Sequence, residues 1–139
     1  KIFFHSNTQL FSQKRKGHFF DNFEKALENL NIIKADYSQF VFSGSTVMAA
    51  LGLRSPKDLD AFHSKDYILP SLISSHNSQI KFLKIKINEI IFNPKNYFFY
   101  MGYKFLNPNL LLQLKQNRNK KKFNPKDMED IKILKEFLN

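Results

Sequence analysis

The apolar positions of this chain change period along its length, and the changes mark out its elements. Residues 1–17 carry no clean period and end in a basic cluster, which reads as an arm or the tail of an upstream region. From Phe19 the positions Phe19, Phe20, Phe23, Ala26, Leu27 and Leu30 recur at helical spacing, with Asp21 and Glu24 near the start, where the helix dipole favours acids. The run Phe40, Val41, Phe42 predicts a short buried strand, which Ser43, Gly44, Ser45 and Thr46 end in a tight turn. Residues 47–53 continue as a helix that Gly52 weakens and that Ser55 and Pro56 stop. Residues 58–62 alternate polar and apolar side chains as a second strand.

A polar loop follows, with Pro70 and residues 74–78 around a short apolar piece at 69–73. Residues 80–87 alternate again, Ile80, Phe82, Ile85 and Ile87 against Lys81, Lys84 and Lys86, and predict a half-exposed strand that residues 89–92 extend or follow with another. Residues 97–100 and 103–105, separated by Met101 and Gly102, predict a hairpin with glycine in its turn. Asn107-Pro108 and Asn124-Pro125 each open a helix, since proline in a first turn gives up a donor that has no partner anyway. The first contains Leu110, Leu111, Leu112 and Leu114; the second, over 127–138, sets Met128, Ile131, Ile133, Leu134 and Phe137 along one face. No repeat or boundary divides residues 1–139. The expected fold is one α+β domain: a small mixed sheet, the helix after the Gly-Ser turn packed on it, and helices at both ends.

Composition narrows the chemistry. At 139 residues, 42% hydrophobic, the chain is long enough for one real core, and with only 4 Gly and 5 Pro it is neither fibrous nor disordered. The absence of cysteine rules out a disulfide framework, a thiolate zinc site, an iron–sulfur cluster and a thiol nucleophile. His5, His18, His63 and His76 are too scattered for a His-rich metal site. With no apolar run long enough to span a bilayer and no cleavable leader, a soluble, cytoplasmic protein is expected. A start at Lys1 reads as a piece of a larger protein.

Charge changes the picture more. Lys and Arg number 22 against 12 Asp and Glu, a net charge of +10. No acid falls between Glu89 and Asp127, an interval that holds Lys95, Lys104, Lys115, Arg118, Lys120, Lys121, Lys122 and Lys126. A polyanion or phosphorylated ligand suits such a balance; a solvated face of a Lys- and Asn-rich chain is the alternative. The interleaved Tyr97, Phe98, Phe99, Tyr100 and Tyr103 are of the kind that stack bases, although at alternating spacing such rings more often pack a sheet.

The block at residues 40–62, FVFSGSTVMAALGLRSPKDLDAF, carries the chemistry. A strand, a Gly-Ser turn and a helix N-terminus offer free backbone N–H groups and a positive dipole end, a seat for phosphate. Asp58 and Asp60, at i and i+2 on the neighbouring strand, point to one side of the sheet and suit Mg²⁺ or Mn²⁺ bridging nucleotide phosphates. Each half alone is an ordinary cap or a solvated acid pair. Strand, turn, helix and acidic strand in that order form a more specific combination.

At this point the block resembles the nucleotidyltransferase superfamily that shares its core with DNA polymerase β, especially its small single-domain and antibiotic-modifying members. The resemblance lies in Gly44-Ser45, the helix, and Asp58-Leu59-Asp60, although Ser43 stands where an apolar residue is commoner. The link from Leu53 through Arg54 to Lys57 looks like the family's basic residue and small polar link, and Lys126-Asp127-Met128-Glu129-Asp130-Ile131 is similar to an element late in several small members. The resemblance implies that Gly44 and Ser45 bind NTP phosphates, that Asp58 and Asp60 hold two divalent ions, and that a third carboxylate follows on a later strand. Glu89 is the candidate, being the only acid between Asp66 and Asp127. Arg54 and Lys57 stand close enough in sequence to reach the triphosphate; solvated helix-end charges are the alternative. His63 is a weaker candidate at an exposed polar position.

The expected reaction is Mg²⁺-dependent transfer of NMP from an NTP to an acceptor hydroxyl or phosphate on a small molecule, a protein or RNA, with Glu89 or Asp60 taking the proton. Two other readings compete. One is a non-catalytic nucleotide- or RNA-binding module, such as a toxin's partner, favoured if the site is incomplete. The other is a nucleotide-sugar glycosyltransferase, which usually needs a larger sheet than this chain supplies.

Overall fold

The structure, a computed structural model, describes residues 18–139, with side chains from Asn22 onward. The expected arm at 1–17 and the side chains of Phe19, Phe20 and Asp21 lie outside the described residues. Helix α1 (His18–Ile32) turns Phe23, Leu27 and Leu30 into the core at the spacing its sequence carries. Five strands follow: β1 (Phe40–Ser43), β2 (Asp60–His63), β3 (Ser74–Ser75), β4 (Tyr97–Tyr100) and β5 (Tyr103–Leu106). They form one mixed sheet in the order β3-β2-β1-β5-β4. Central β1 runs antiparallel to β2, with Ser43 opposite Asp60, and parallel to β5, with Phe42 opposite Phe105. This is the expected α+β fold.

Aromatic rings build the core. Phe40, Phe42, Phe62, Phe98, Tyr103 and Phe105 are fully buried, and ring centroids lie 5.0 Å apart for Phe42 and Phe105 and 5.7 Å for Phe98 and Phe105. Large rings remove the most apolar area per residue from water. A strand covered on both faces reads as an unbroken apolar run, as β1 does. Burial also takes Tyr97, Phe98, Tyr100 and Tyr103 away from any base they might stack on. The β4–β5 turn is at Met101 and Gly102, both at positive φ (51° and 82°), the pairing that matches strand twist in a two-residue hairpin.

Helix α2 (Ser45–Ala50) follows β1 directly and is wholly buried. It is shorter than its apolar run, because Gly52 at φ 74° turns the chain away just after Leu51. Helices α4 (Pro108–Lys121) and α5 (Pro125–Leu138) pack on each other, and Asn107 and Asn124 cap their starts by accepting the N–H of Asn109 and Lys126. No helix among the described residues is long and apolar enough to cross a membrane.

One expectation fails. Residues 80–87 are no strand: Asn77–Phe82 is a 3-10 turn, and Ile87–Phe92 is a short helix, α3. The edge of β2 is already taken, by β3 and then by Asn77, whose amide accepts the N–H of His63 at 3.0 Å and donates to its carbonyl at 3.1 Å. That side chain satisfies the backbone a further strand would have paired with. The alternating apolar residues half-bury against the core instead, and Asn117 of α4 donates to the Phe82 carbonyl at 2.8 Å.

Candidate functional site

Gly44 leaves β1 at φ 64° and ψ −145°, a region open essentially to glycine alone. A Cβ there would stand 3.3 Å from Asp60 Oδ2 and 3.6 Å from His76 Cε1, so the bare backbone is what lets the turn lie against the carboxylate. The next two residues bind the acidic segment by their hydroxyls. Ser45 Oγ accepts the N–H of Lys57 at 2.9 Å; Thr46 Oγ1 donates to the Asp58 carbonyl at 3.0 Å and accepts the N–H of Asp60 at 3.3 Å. Thr46 therefore takes the place of a ladder partner at Asp58, and β2 begins only at Asp60. Asp58 is exposed and Asp60 half-buried.

Gly44, Ser45, Asp58 and Asp60 line one wall of a cleft of ≈ 180 Å³, together with His76. The other wall comes from the C-terminal helices and brings Lys115, Arg118 and Lys126. Burial and the neighbouring charge of Asp58 hold the Asp60 carboxyl above the usual range, while Arg118 and Lys115 pull the other way. His76 bonds Ser43 Oγ through Nδ1 at 3.0 Å. Burial, then Arg118 and Lys115, lowers its pKa to about 4, so it is neutral at pH 7.

Two buried acids hold Arg54, Lys115 and Arg118 in place. Asp130 accepts from Arg54 Nε at 2.8 Å and Nη2 at 3.1 Å, and Lys115 Nζ lies 3.0 Å away. Asp127 accepts from Arg118 Nη2 at 2.8 Å and Nε at 3.0 Å, with Lys115 at 3.7 Å. Burial opposes ionisation of Asp127, but the Arg118 fork and Lys115 outweigh it and keep its pKa below the usual value. Both carboxylates are thus committed to cations. The pairs leave one positive charge over, to which Lys57 and Lys126 add theirs.

Of the residues singled out in the sequence, Gly44, Ser45, Arg54, Lys57, Asp58 and Asp60 meet in this cleft. Arg54 is held by Asp130 and by the Ser55 carbonyl, so it anchors the link more than it reaches outward. Glu89 is elsewhere: it lies exposed on α3, its Oε1 accepting from Asn93 Nδ2 at 3.3 Å, because the stretch expected to be a strand coils into a helix. Among the described residues no group of three His, Asp or Glu side chains gathers to hold a metal. The expected seat for phosphate also changes. A six-residue α2 has little dipole to offer, and the positive field comes from Lys115, Arg118, Lys57 and Lys126 instead. His63 bonds Ser75 Oγ at 2.8 Å on the β2 edge, outside the cleft.

Sequence reasoning gave Thr46 and His76 no role in the site and named Lys115 and Arg118 only among the cations of the acid-free interval. The last two had a signal: a basic pair at i, i+3 on one helix and an acidic pair, Asp127 and Asp130, at i, i+3 on the next. His76 had none, since its place beside Gly44 depends on β3 pairing with β2. No family model, curated protein or solved structure matches this chain. The functional reading therefore stands on the cleft.

Proposed function

We propose that the protein is a Mg²⁺-dependent nucleotidyltransferase that moves an NMP from a nucleoside triphosphate to an acceptor hydroxyl, in a cytoplasmic setting where both are at hand. One observation carries this reading: a turn bared by Gly44 lies against Asp60, and the pair Asp58 and Asp60 faces Lys115 and Arg118 across a single cleft. Such a cleft provides for a divalent cation and for the negative charge of a triphosphate side by side. Asp58 and Asp60, two carboxylates whose charges disfavour each other, are hard oxygen donors that would hold one Mg²⁺ or Mn²⁺. When bound, the ion supplies charge neutralisation at the phosphates. Glu89, expected as the third carboxylate and as a proton acceptor, is not part of the cleft.

The remaining work falls to the chain's own groups. Lys115 and Arg118, fixed by Asp127 and Asp130, take the phosphate charge with Lys57 and Lys126, and their prior fixation avoids reorganisation in the transition state. The acceptor oxygen attacks the α phosphorus in line, the bond to the β phosphate breaks, and pyrophosphate leaves. Asp60, the carboxylate that lies against the Gly44 turn, is the group placed to accept the hydroxyl proton. The position of Glu89 favours one second reading, a nucleotide-binding module without catalysis.

Isothermal titration of ATP, CTP, GTP and UTP, each with and without Mg²⁺, tests both. Binding that requires the metal and disappears in Asp58→Asn/Asp60→Asn is expected, with the preferred base read from the four affinities. Binding that ignores both the metal and the double substitution overturns the proposal. Mg²⁺-dependent binding with no transfer of an α-phosphate label to any acceptor selects the binding module.

A further inference from the structure

The turn between α4 and α5 stands at the mouth of this cleft and exposes what the core has no use for. Lys120, Lys121 and Lys122 are exposed, and Phe123 shows 68% of its surface and Met128 46%. The turn is closed on itself. Asn119 Oδ1 accepts the N–H of Asn124 at 2.7 Å, Asn119 Nδ2 meets Met128 Sδ at 2.9 Å, and Asn124 Oδ1 accepts the N–H of Lys126 at 2.8 Å. A ring displayed in water from a tied turn is available to a ligand at little ordering cost. The far end of the same turn enters the cleft, where Asn124 and Lys126 are lining groups beside Arg118. Lys126, with Lys57 and Arg54, also lines an adjoining hollow of ≈ 360 Å³.

The cations continue past anything a triphosphate needs. Lys115, Arg118 and Lys57 already face the cleft, whereas Lys120, Lys121 and Lys122 lie beyond it and form no ion pair among the described residues. The 3-10 turn Asn77–Phe82 packs against α4, where Arg118 donates to Gln79 Oε1 at 3.1 Å, and it carries the exposed Lys81. A small acceptor gives such a spread of charge nothing to bind; a chain of regularly spaced phosphates does. An aromatic ring among spaced lysines is the arrangement that holds single strands, phosphates on the cations and one unpaired base on the ring.

We propose that the acceptor is a single-stranded nucleic acid whose end is carried to Asp58 and Asp60 by the Lys120–Phe123 turn. The inference rests on the nucleotidyl-transfer reading of the cleft. In the step it implies, the strand's terminal 3′ oxygen bonds to the α phosphorus and the α–β bridging oxygen leaves with pyrophosphate. The 3′-hydroxyl proton passes to Asp60, and the strand is longer by one nucleotide.

Fluorescence anisotropy with labelled single-stranded RNA and DNA of about 12 nucleotides, at roughly 50 and 200 mM KCl, tests the docking. The full chain is compared with Lys120→Gln/Lys121→Gln/Lys122→Gln, with Phe123→Ala, and with Lys25→Gln/Lys34→Gln/Lys65→Gln, which removes equal charge elsewhere. Transfer of α-phosphate label from each NTP is followed in parallel, onto oligonucleotides ending in a 3′ hydroxyl or in a dideoxy sugar. The turn triple and Phe123→Ala should each weaken strand binding roughly tenfold, the control triple far less. Asp58→Asn/Asp60→Asn should leave strand binding intact and abolish labelling, and only 3′-hydroxyl strands should gain label. The RNA and DNA arms tell which strand is preferred.

Equal loss in the turn and control triples overturns the inference, since the attraction is then only the field of a +10 protein. So does binding through the turn to phosphatidylserine vesicles with none to either strand. Mg²⁺-dependent NTP binding with label entering small hydroxyl acceptors but no strand removes the inference and leaves nucleotidyl transfer standing. Strand binding with no NTP binding removes nucleotidyl transfer, and the acceptor role with it.

Discussion

Gly44 and His76 show how much of this site turns on single residues. At φ 64° and ψ −145°, Gly44→Ala introduces backbone strain on the order of 1–3 kcal/mol, and the new methyl at 3.3 Å presses on Asp60 Oδ2. Urea denaturation should register that loss of stability, and titration of Mg-NTP should show weaker binding in protein that is still folded. Unchanged binding in the folded variant would separate the turn from the carboxylate. His76 makes a prediction of a different kind. Its pKa falls from 6.5 to about 4 on folding, so between those values the unfolded chain holds the extra proton and acid favours unfolding. The contribution is complete above about pH 6.5 and is lost as the pH falls toward 4, by about 2–3 kcal/mol after allowing for partial exposure. Stability measured against pH should flatten over that window in His76→Gln; a curve of unchanged slope would assign the acid sensitivity to other groups.

Between elements, the ion pairs matter most. Asp130 is the anion shared by Arg54 of the α2–β2 link and Lys115 of α4, with side chains 5% and 4% exposed for Asp130 and Lys115. Asp130→Asn leaves Lys115 buried with only Asp127, at 3.7 Å, and should cost about 3–5 kcal/mol. Adding Lys115→Met should recover part of that, because it removes the stranded charge. A loss below about 1 kcal/mol in the single variant would mean that water already screens the pair. The same network marks the limit of what could be read from the chain. Gly44, Ser45, Asp58 and Asp60 were legible because turn, helix and acidic strand are local and their periods differ. The Arg54 contact spans 76 residues and appears only when α4 and α5 fold back over the link. Residues 80–87 misled for a related reason: alternation shows which side chains seek burial, but whether a strand forms depends on a free edge, and Asn77 had already occupied it.

At the scale of the whole molecule, the excess of positive charge sets the last expectation. Of the 22 lysines and arginines, three, Arg54, Lys115 and Arg118, are in ion pairs among the described residues. Their acids are buried and little touched by salt, whereas the exposed lysines repel one another through water, where a Debye length near 10 Å at 0.1 M screens them. Self-repulsion destabilises the compact state more than the expanded one. Raising NaCl from roughly 20 to 200 mM should therefore raise the thermal midpoint by a few degrees, as it screens repulsion across the surface. A polyanion bound to the α4–α5 turn should do the same at low salt, and its effect should fade as salt rises and competes for the same lysines. These two slopes have opposite sign. A midpoint that falls with NaCl in the free protein would mean that surface pairs already neutralise the lysines. The acid-free interval from residue 90 to 126 would then be a solvated face with no call on a partner.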